Sequence, residues 1–207
     1  MKLYYSPGAC SLSPHIVLLE SGLGFDLEKV DLAAKKTERG ADYWKVNPKG
    51  YVPALELDDG QVLTEGPAIV QYLADLVPQK KLAPMAGTLE RYRLQEWLNF
   101  ISTELHKGFS PLFNPKASDD WKSAARELLG RRIGIVAKQL EGRSYLMGEA
   151  FTVVDAYLFT ILRWARHVKL DLSPWPVLSG YQDRVAARPA VHAALVAEGL
   201  IVNKGLH

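Results

Sequence analysis

The sequence has only one cysteine, Cys10, among 207 residues. A lone cysteine cannot form an intrachain disulfide, so the chain needs no oxidising compartment and we expect it in the cytoplasm. A large excess of either charge is also lacking, because 25 basic and 23 acidic residues give a formal net charge of only +2. The basic residues are also scattered, which does not favour a nucleic-acid-binding surface.

Long hydrophobic runs and metal-binding clusters are lacking as well. The most apolar stretch, residues 151–165, contains Asp155 and Arg163 and is shorter than a membrane span requires. The first ten residues do not contain the apolar run of a signal peptide. No His and Cys residues stand at the spacings of metal ligands, so we expect neither a membrane partner nor a bound metal.

The order of local patterns predicts two domains. Strand patterns alternate with helical ones in the first part of the chain, the strands falling at residues 2–5, 25–30, 54–57 and 61–63. Asp58-Asp59-Gly60, between the last two strands, predicts the tight turn of a hairpin. Only helical patterns follow, at residues 89–109, 119–140, 153–168, 176–187 and 190–197. The polar segment 79–87 contains proline and glycine and is typical of a linker. We therefore predict an α/β domain at 1–78 and an all-helical domain at 88–207.

Cys10 follows the first strand and lies at or just before the first turn of the first helix. The unpaired amides of a helix N-terminus favour a thiolate, so this position suits a reactive thiol. A buried structural cysteine is the alternative. The motif Cys10-x-x-Ser13 lacks a second thiol, which excludes an internal dithiol cycle.

A second candidate site precedes the helix that begins at Gly66-Pro67. Free amides at this helix start could bind a ligand carboxylate, while Glu65 could pair with a ligand amine. Together they would recognise the end of an α-amino acid, although simple helix capping is an equal alternative. Val52-Pro53, just before the third strand, is a weak signal on its own.

The helix from residue 89 carries a polar-to-aromatic stripe. Its residues recur at spacings of four, three, four and three: Asn99, Thr103, His106, Ser110 and Phe113. Pro111 removes a helix amide, which predicts a kink or an end near Lys107. A histidine on such a face is either a satisfied core residue or a site residue.

Several motifs, in this order, resemble the cytosolic glutathione transferases. The glutathione-binding domain of that family is matched by Tyr4 to His15, by Asn47-Pro48-x-Gly50-x-Val52-Pro53-Ala54-Leu55, and by Leu63-Thr64-Glu65-Gly66-x-Ala68-Ile69-x-x-Tyr72-Leu73. The bacterial beta class in particular is matched by Trp97-x-Asn99 with Glu104 to Phe109. Thr152-x-x-Asp155 is similar to the capping box of the family's core helix.

The resemblance implies a thioredoxin-like N-terminal α/β domain, an all-α C-terminal domain, a homodimer and glutathione as co-substrate. It implies that Cys10 approaches the glutathione sulfur, that Val52 before a cis Pro53 pairs with the cysteinyl backbone, and that Lys35 meets the glycine carboxylate. The remaining glutathione contacts it implies are Glu65, Gly66, Thr103, Glu104, Leu105, His106 and, from the partner subunit, Asn99. The family usually has serine or another small residue where this chain has Gly66.

The function that the resemblance implies is conjugation of reduced glutathione to hydrophobic electrophiles, a detoxification chemistry. Cys10 and His106 are then the catalytic candidates, and thiol–disulfide exchange through Cys10 is a further activity. Three aromatic residues are candidates for the electrophile pocket or for core packing: Phe109, Phe113 and Trp164. Two alternatives stay open, a glutaredoxin-like thiol–disulfide oxidoreductase and a non-catalytic ligand-binding protein with this fold.

Overall fold

The computed structural model describes residues 1–202, which form two compact units. The first unit contains Met1–Ala83 together with residues 186–202, and the second contains Pro84–Val185. The predicted domain boundaries at 1–78, 79–87 and 88–207 stay a prediction. The compact units differ from them at the C-terminal end, where residues 186–202 pack within the first unit.

A five-stranded sheet forms the centre of the first unit. Its strands are β1 (Lys2–Tyr5), β2 (Asp26–Asp31), β3 (Lys36–Thr37), β4 (Ala54–Glu56) and β5 (Val62–Thr64). They lie in the order β3-β2-β1-β4-β5, with β1 and β2 parallel and the other pairs antiparallel. The predicted turn at Asp58-Asp59-Gly60 joins β4 to β5, and Gly60 there has a φ of +83° that favours glycine.

Two helices of the first unit carry the candidate site residues at their N-terminal ends. Helix α1 (Leu12–Ser21) begins two residues after Cys10 and ends at Gly22, which takes the left-handed conformation. Helix α2 (Gly66–Leu76) has Pro67 in its first turn and ends before Pro78. The two helices pack against each other through buried aliphatic side chains. Single 3₁₀ turns lie at Tyr43–Lys45 and Pro78–Lys80.

The second unit consists of helices, with one isolated β-bridge between Tyr145 and Gly148 in its described residues. Its helices are α3 (Leu89–Phe100), a π-helical segment (Ile101–His106), α4 (Lys107–Phe113), α5 (Asp119–Leu140), α6 (Val153–Leu162), α7 (Trp164–His167) and α8 (Val177–Ala186). Helix α6 starts with the predicted capping box, in which buried Asp155 accepts hydrogen bonds from the Thr152 and Leu146 backbone amides. The prediction of one helix over 153–168 was wrong, because α6 ends at Leu162 and α7 follows after Arg163.

The π-helical segment replaces the regular α-helix predicted between Asn99 and His106. The Lys107 amide donates to the Ser102 carbonyl five residues earlier, a bond that defines the wider turn. Regular hydrogen bonding is therefore interrupted one turn before Pro111, and α4 continues through the proline to Phe113. The last helix, α9 (Pro189–Ala197), packs against α1 and belongs to the first unit.

The fold class predicted from the sequence is confirmed. The first unit has the mixed sheet and flanking helices of a thioredoxin-like domain, and the second is helical. None of the helices in residues 1–202 is long and apolar enough to cross a membrane. Within the same residues, no group of three or more His, Cys, Asp and Glu side chains is arranged to hold a metal ion.

Candidate active site

Cys10 lies in the turn between β1 and α1, with its thiol partly exposed. Its Sγ donates a hydrogen bond to the Val52 carbonyl at 3.2 Å. The turn is held by Ser11, whose hydroxyl accepts from the Ser6 amide at 3.1 Å and donates to the Ser6 carbonyl at 3.2 Å. The structure thus fixes the thiol beside the backbone of a second loop, two residues before a helix.

Glu198 fixes the same turn from the end of α9. Its buried carboxylate accepts from the Gly8 amide at 2.8 Å, and its other oxygen lies 2.8 Å from His15 Nδ1. Glu198 is not among the site residues predicted from the sequence. The available signal was an acidic residue in the otherwise apolar run Ala193 to Leu200, where a charge needs a partner.

The second loop contains Val52 and Pro53, whose peptide bond is cis, as the family resemblance implies. The carbonyl of the preceding Tyr51 accepts from the Tyr43 hydroxyl at 2.8 Å and from the Asn47 side-chain amide at 2.7 Å. Burial raises the pKa of Tyr43 to about 12, so its hydroxyl keeps its proton at neutral pH. These two bonds hold the backbone next to which Cys10 lies.

Lys35 is held beside the same loop. Its Nζ donates to the Gly50 carbonyl at 2.8 Å and lies 5.5 Å from the Trp44 ring centroid and 5.8 Å from that of Tyr51. Gly50 is required here, because a Cβ at this position would lie 2.6 Å from the Trp44 ring. The side chain of Lys35 therefore presents a positioned cation at the edge of the loop.

Glu65 and Gly66 form the start of α2. Glu65 has a φ of +72°, an uncommon conformation for a residue with a side chain, and its carboxylate pairs with Lys49 Nζ at 2.8 Å. This side chain does not cap the helix, and its carboxylate lies at the surface in the pair with Lys49. A Cβ at Gly66 would come no closer than 3.9 Å to Pro53 Cγ, so a serine fits there.

Two of the hydroxyl groups near the N-terminus, those of Tyr4 and Ser11, are held in structural hydrogen bonds. The Tyr4 hydroxyl donates to Glu56 at 2.6 Å, and burial together with this carboxylate raises the pKa of Tyr4. Burial also raises the pKa of Tyr5. The Ser11 hydroxyl is bonded to Ser6 and Ser13 is buried, which leaves Cys10 as the partly exposed nucleophile of this turn.

In the second unit, His106 lies in a group of aromatic side chains. Its Nδ1 is 2.7 Å from the Tyr157 hydroxyl, and its ring centroid is 4.8 Å from that of Trp164. Phe109 and Phe113 pack on Trp164 at 5.9 and 5.5 Å. We call His106, Phe109, Phe113 and Trp164 the aromatic cluster; it unites the predicted catalytic histidine with the predicted electrophile-pocket residues.

The members of the aromatic cluster differ in exposure. Phe109 is fully buried, whereas Phe113 is 48% exposed and Trp164 is half-buried. Phe109 thus packs in the core, and the open faces belong to Phe113 and Trp164. Tyr157, which fixes the imidazole, was given no site role from the sequence, although it lies two residues after Asp155 of the Thr152-x-x-Asp155 motif.

The other predicted residues of the second unit lie on or near the π-helical segment. Asn99 and Thr103 are exposed, and the Thr103 hydroxyl donates to the Asn99 carbonyl at 3.0 Å. Glu104 is 2.6 Å from Arg132 Nε, and Leu105 is fully buried. A role for Leu105 in ligand binding is therefore restricted to its backbone.

Family models match both parts of the chain. Residues 8–76 match the glutathione S-transferase N-terminal domain, and residues 100–189 match the glutathione S-transferase C-terminal domain. The glutathione S-transferase GstA of Escherichia coli O157:H7 is 52% identical over 97% of this chain and 100% of its own length.

Solved structures agree with these matches. A sphingomonad glutathione S-transferase complexed with glutathione is 51% identical, with a TM-score of 0.93 over 97% of this chain and 100% of that one. The bacterial beta class glutathione S-transferase of Sphingomonas chungbukensis is 52% identical, with a TM-score of 0.94 over 97% and 100% of the two chains. The family, its beta class and the transferase activity predicted from the sequence are thereby confirmed, and the chain belongs to the glutathione transferase family.

Proposed function

We propose that the first unit binds reduced glutathione with its sulfur against Cys10 and its cysteinyl backbone paired with Val52. The single observation that carries this assignment is the 3.2 Å hydrogen bond from Cys10 Sγ to the Val52 carbonyl. It places the only thiol of the chain beside the backbone that precedes the cis proline. The sphingomonad relative complexed with glutathione supports the same ligand.

The charged ends of glutathione would be held by groups on either side of this loop. Lys35, a positioned cation, pairs with the glycine carboxylate. Glu65 binds the γ-glutamyl amine, and the amides at the start of α2 bind the γ-glutamyl carboxylate. Lys35 and Glu65 then exchange their present partners, the Gly50 carbonyl and Lys49, for the ligand.

Cys10 assists conjugation by donating a hydrogen bond from its thiol to the ionised sulfur of glutathione, which has lost its own proton to solvent; this bond stabilises the glutathione thiolate. The thiolate attacks an electrophilic carbon, a new carbon–sulfur bond forms, and the leaving group departs with its electron pair. With a disulfide substrate, the Cys10 thiolate itself attacks one sulfur, forms a mixed disulfide and expels the other sulfur as a thiolate.

The aromatic cluster would supply the surface for the electrophile. Phe113 and Trp164 have exposed faces that suit an aryl substrate, and His106, oriented by Tyr157, is a donor for a departing halide or a developing negative charge. The proposal further includes a homodimer in which Asn99 of the partner subunit completes the glutathione site, a cytoplasmic location and a detoxification role.

Replacing the thiol tests the assignment of Cys10. Cys10→Ala should abolish the mixed disulfide that glutathione disulfide forms with the wild type, while part of the turnover of 1-chloro-2,4-dinitrobenzene remains, because the attacking sulfur belongs to glutathione. Intact-protein mass spectrometry and a conjugation assay measure the two effects. Failure of the wild type to bind immobilised glutathione would overturn the proposal.

A glutaredoxin-like activity is the second candidate, and the partly exposed thiol two residues before α1 favours it. Turnover of a glutathione mixed disulfide is compared with turnover of the aryl halide. Loss of both activities in Cys10→Ser would favour covalent thiol chemistry over conjugation. A glutathione affinity weaker than millimolar would instead favour a non-catalytic binding protein.

A further inference from the structure

The hydroxyl group of Ser13 is buried and makes no hydrogen bond. Ser13 lies in the first turn of α1 with none of its surface exposed, and its Oγ has no hydrogen-bond partner among residues 1–202. A buried hydroxyl group left unbonded lowers the stability of the fold, so its presence in a native structure calls for an explanation. The functions proposed above give this hydroxyl group no role.

The backbone places the side chain of Ser13 next to that of Cys10. The Ser13 amide donates to the Cys10 carbonyl at 3.2 Å, and the Leu12 amide donates to the Ala9 carbonyl at 3.0 Å. Both bonds span three residues, as in a 3₁₀ turn, where the side chains at i and i+3 eclipse each other. Cβ atoms so placed are about 5–6 Å apart, a separation across which a serine Oγ and a cysteine Sγ can meet.

The hydrogen bond that Cys10 makes with Val52 suits only the protonated thiol. The Val52 carbonyl accepts a hydrogen bond from the thiol, but an acceptor of this kind cannot stabilise a negatively charged sulfur. A thiolate needs donors, and the Ser11 hydroxyl already donates to the Ser6 carbonyl. The hydroxyl group of Ser13 still has its proton to donate.

We propose that Ser13 is a catalytic residue for thiol–disulfide exchange at Cys10. Its hydroxyl group donates a hydrogen bond to the Cys10 sulfur whenever that sulfur is negatively charged, which favours the thiolate. The inference rests on the exchange activity proposed above for Cys10. It also explains why the unbonded hydroxyl is buried at this turn, since its acceptor exists only after the thiol has ionised.

The Cys10 sulfur is negatively charged at the start and at the end of the exchange cycle. Cys10 loses its proton to solvent and attacks the glutathione sulfur of a disulfide between glutathione and a second thiol. A mixed disulfide forms, and the second thiol leaves as a thiolate that takes a proton from solvent. The thiolate of another glutathione then attacks the glutathione sulfur of the mixed disulfide. Glutathione disulfide forms, and Cys10 leaves with the electron pair of the broken bond, stabilised by Ser13.

Ser13→Ala tests the role of the hydroxyl group, with Ser21→Ala as the matched control. Ser21 is another buried serine of α1, but its hydroxyl group donates to the Leu18 carbonyl at 2.6 Å. In Ser13→Ala, iodoacetamide should alkylate Cys10 about three times more slowly, because the thiolate fraction falls about tenfold while the remaining thiolate is more nucleophilic. Release of Cys10 from its mixed disulfide by glutathione, followed by mass spectrometry, should slow about three- to tenfold. Both rates should be unchanged in Ser21→Ala.

The stabilities of the two variants should differ in the other direction. Ser13→Ala removes a hydroxyl group that has no partner, so its urea midpoint should equal or exceed that of the wild type. Ser21→Ala loses a hydrogen bond, and its midpoint should fall. Wild-type rates in Ser13→Ala, or a loss of stability in this variant as large as that in Ser21→Ala, would overturn the proposal.

Ser13→Cys tests the proximity of the two side chains directly. Treatment with glutathione disulfide should give a disulfide between Cys10 and the introduced thiol, seen as a species that is free of glutathione and lighter than the reduced variant by two hydrogens. A glutathione adduct that persists in Ser13→Cys would overturn the proposal. A wild type that forms no mixed disulfide would instead refute the exchange activity of Cys10. The iodoacetamide rates, which need no glutathione, would still decide whether Ser13 stabilises the thiolate.

Discussion

Glu198 provides the sharpest test of how the C-terminal helix supports the catalytic turn. Its buried carboxylate joins α9 to the Gly8 amide, two residues before Cys10, and to His15 on α1. Glu198→Ala removes the acceptor of the part-buried Gly8 amide and the partner of the buried His15 imidazole. Leaving a hydrogen-bonding group without its partner in such a place costs about 1–3 kcal/mol for each group.

The free energy of unfolding measured in urea should therefore fall by about 2–6 kcal/mol in Glu198→Ala, and the melting temperature by roughly 10 °C. Glu198→Gln keeps an acceptor for the Gly8 amide and should lose only about 1–2 kcal/mol. The rate at which Cys10 reacts with a thiol reagent should change in the alanine variant under native conditions, because the turn that carries the thiol loses its anchor.

Glu20→Ala is the control for this prediction. Glu20 also links α1 to the start of α9, through a two-pronged pair with Arg188 at 2.6 and 2.9 Å, but the guanidinium is partly exposed. It should cost about 1 kcal/mol or less and leave the reactivity of Cys10 unchanged. A Glu198→Ala variant as stable as Glu20→Ala would refute the reasoning.

Three further predictions concern the glutathione loop and the start of α2. Gly66→Ser should lower the Kd for glutathione by roughly three- to tenfold in calorimetry, because a hydroxyl fits there and adds a hydrogen bond, whereas Gly66→Ala should not. Gly50→Ala should lower the free energy of unfolding in urea by more than Gly60→Ala does. Both glycines have a positive φ, but only a Cβ at Gly50 would clash with the Trp44 ring. Equal losses of stability in the two variants would contradict the packing argument. Because the pKa of Tyr43 is raised in the folded state, the unfolded chain loses this proton first as the pH rises. The free energy of unfolding should therefore fall between pH 10 and about 12, and it should fall less steeply in Tyr43→Phe. An unchanged slope in Tyr43→Phe would show that Tyr43 does not contribute to this fall.

Local patterns predicted most of the elements because their causes are local. The order of strands and helices in the first unit, the hairpin at Asp58–Gly60 and the cap at Asp155 all follow from residues within a few positions of each other. Helix α5 runs over Asp119–Leu140, as its periodicity predicts. The family motifs also named Val52, whose carbonyl the structure places beside the Cys10 thiol.

The features that were missed depend on geometry that a regular repeat or a short motif does not contain. A periodicity of 3.6 assumes an α-helix, so the π-helical segment at Ile101–His106 could not appear in it. The pairing of His15 with Glu198 joins residues 183 positions apart, and the packing of Tyr157 on His106 joins residues 51 apart. Such contacts come from tertiary packing and leave only a faint signal, an isolated charge in an apolar run.

A crystal structure with reduced glutathione tests the central claim most directly, because it shows where the ligand sulfur lies. The account predicts the sulfur within about 4 Å of Cys10 Sγ, the cysteinyl backbone hydrogen-bonded to Val52, and the γ-glutamyl carboxylate at the first amides of α2. A glutathione sulfur bound away from Cys10, with the Cys10–Val52 hydrogen bond intact, would contradict it.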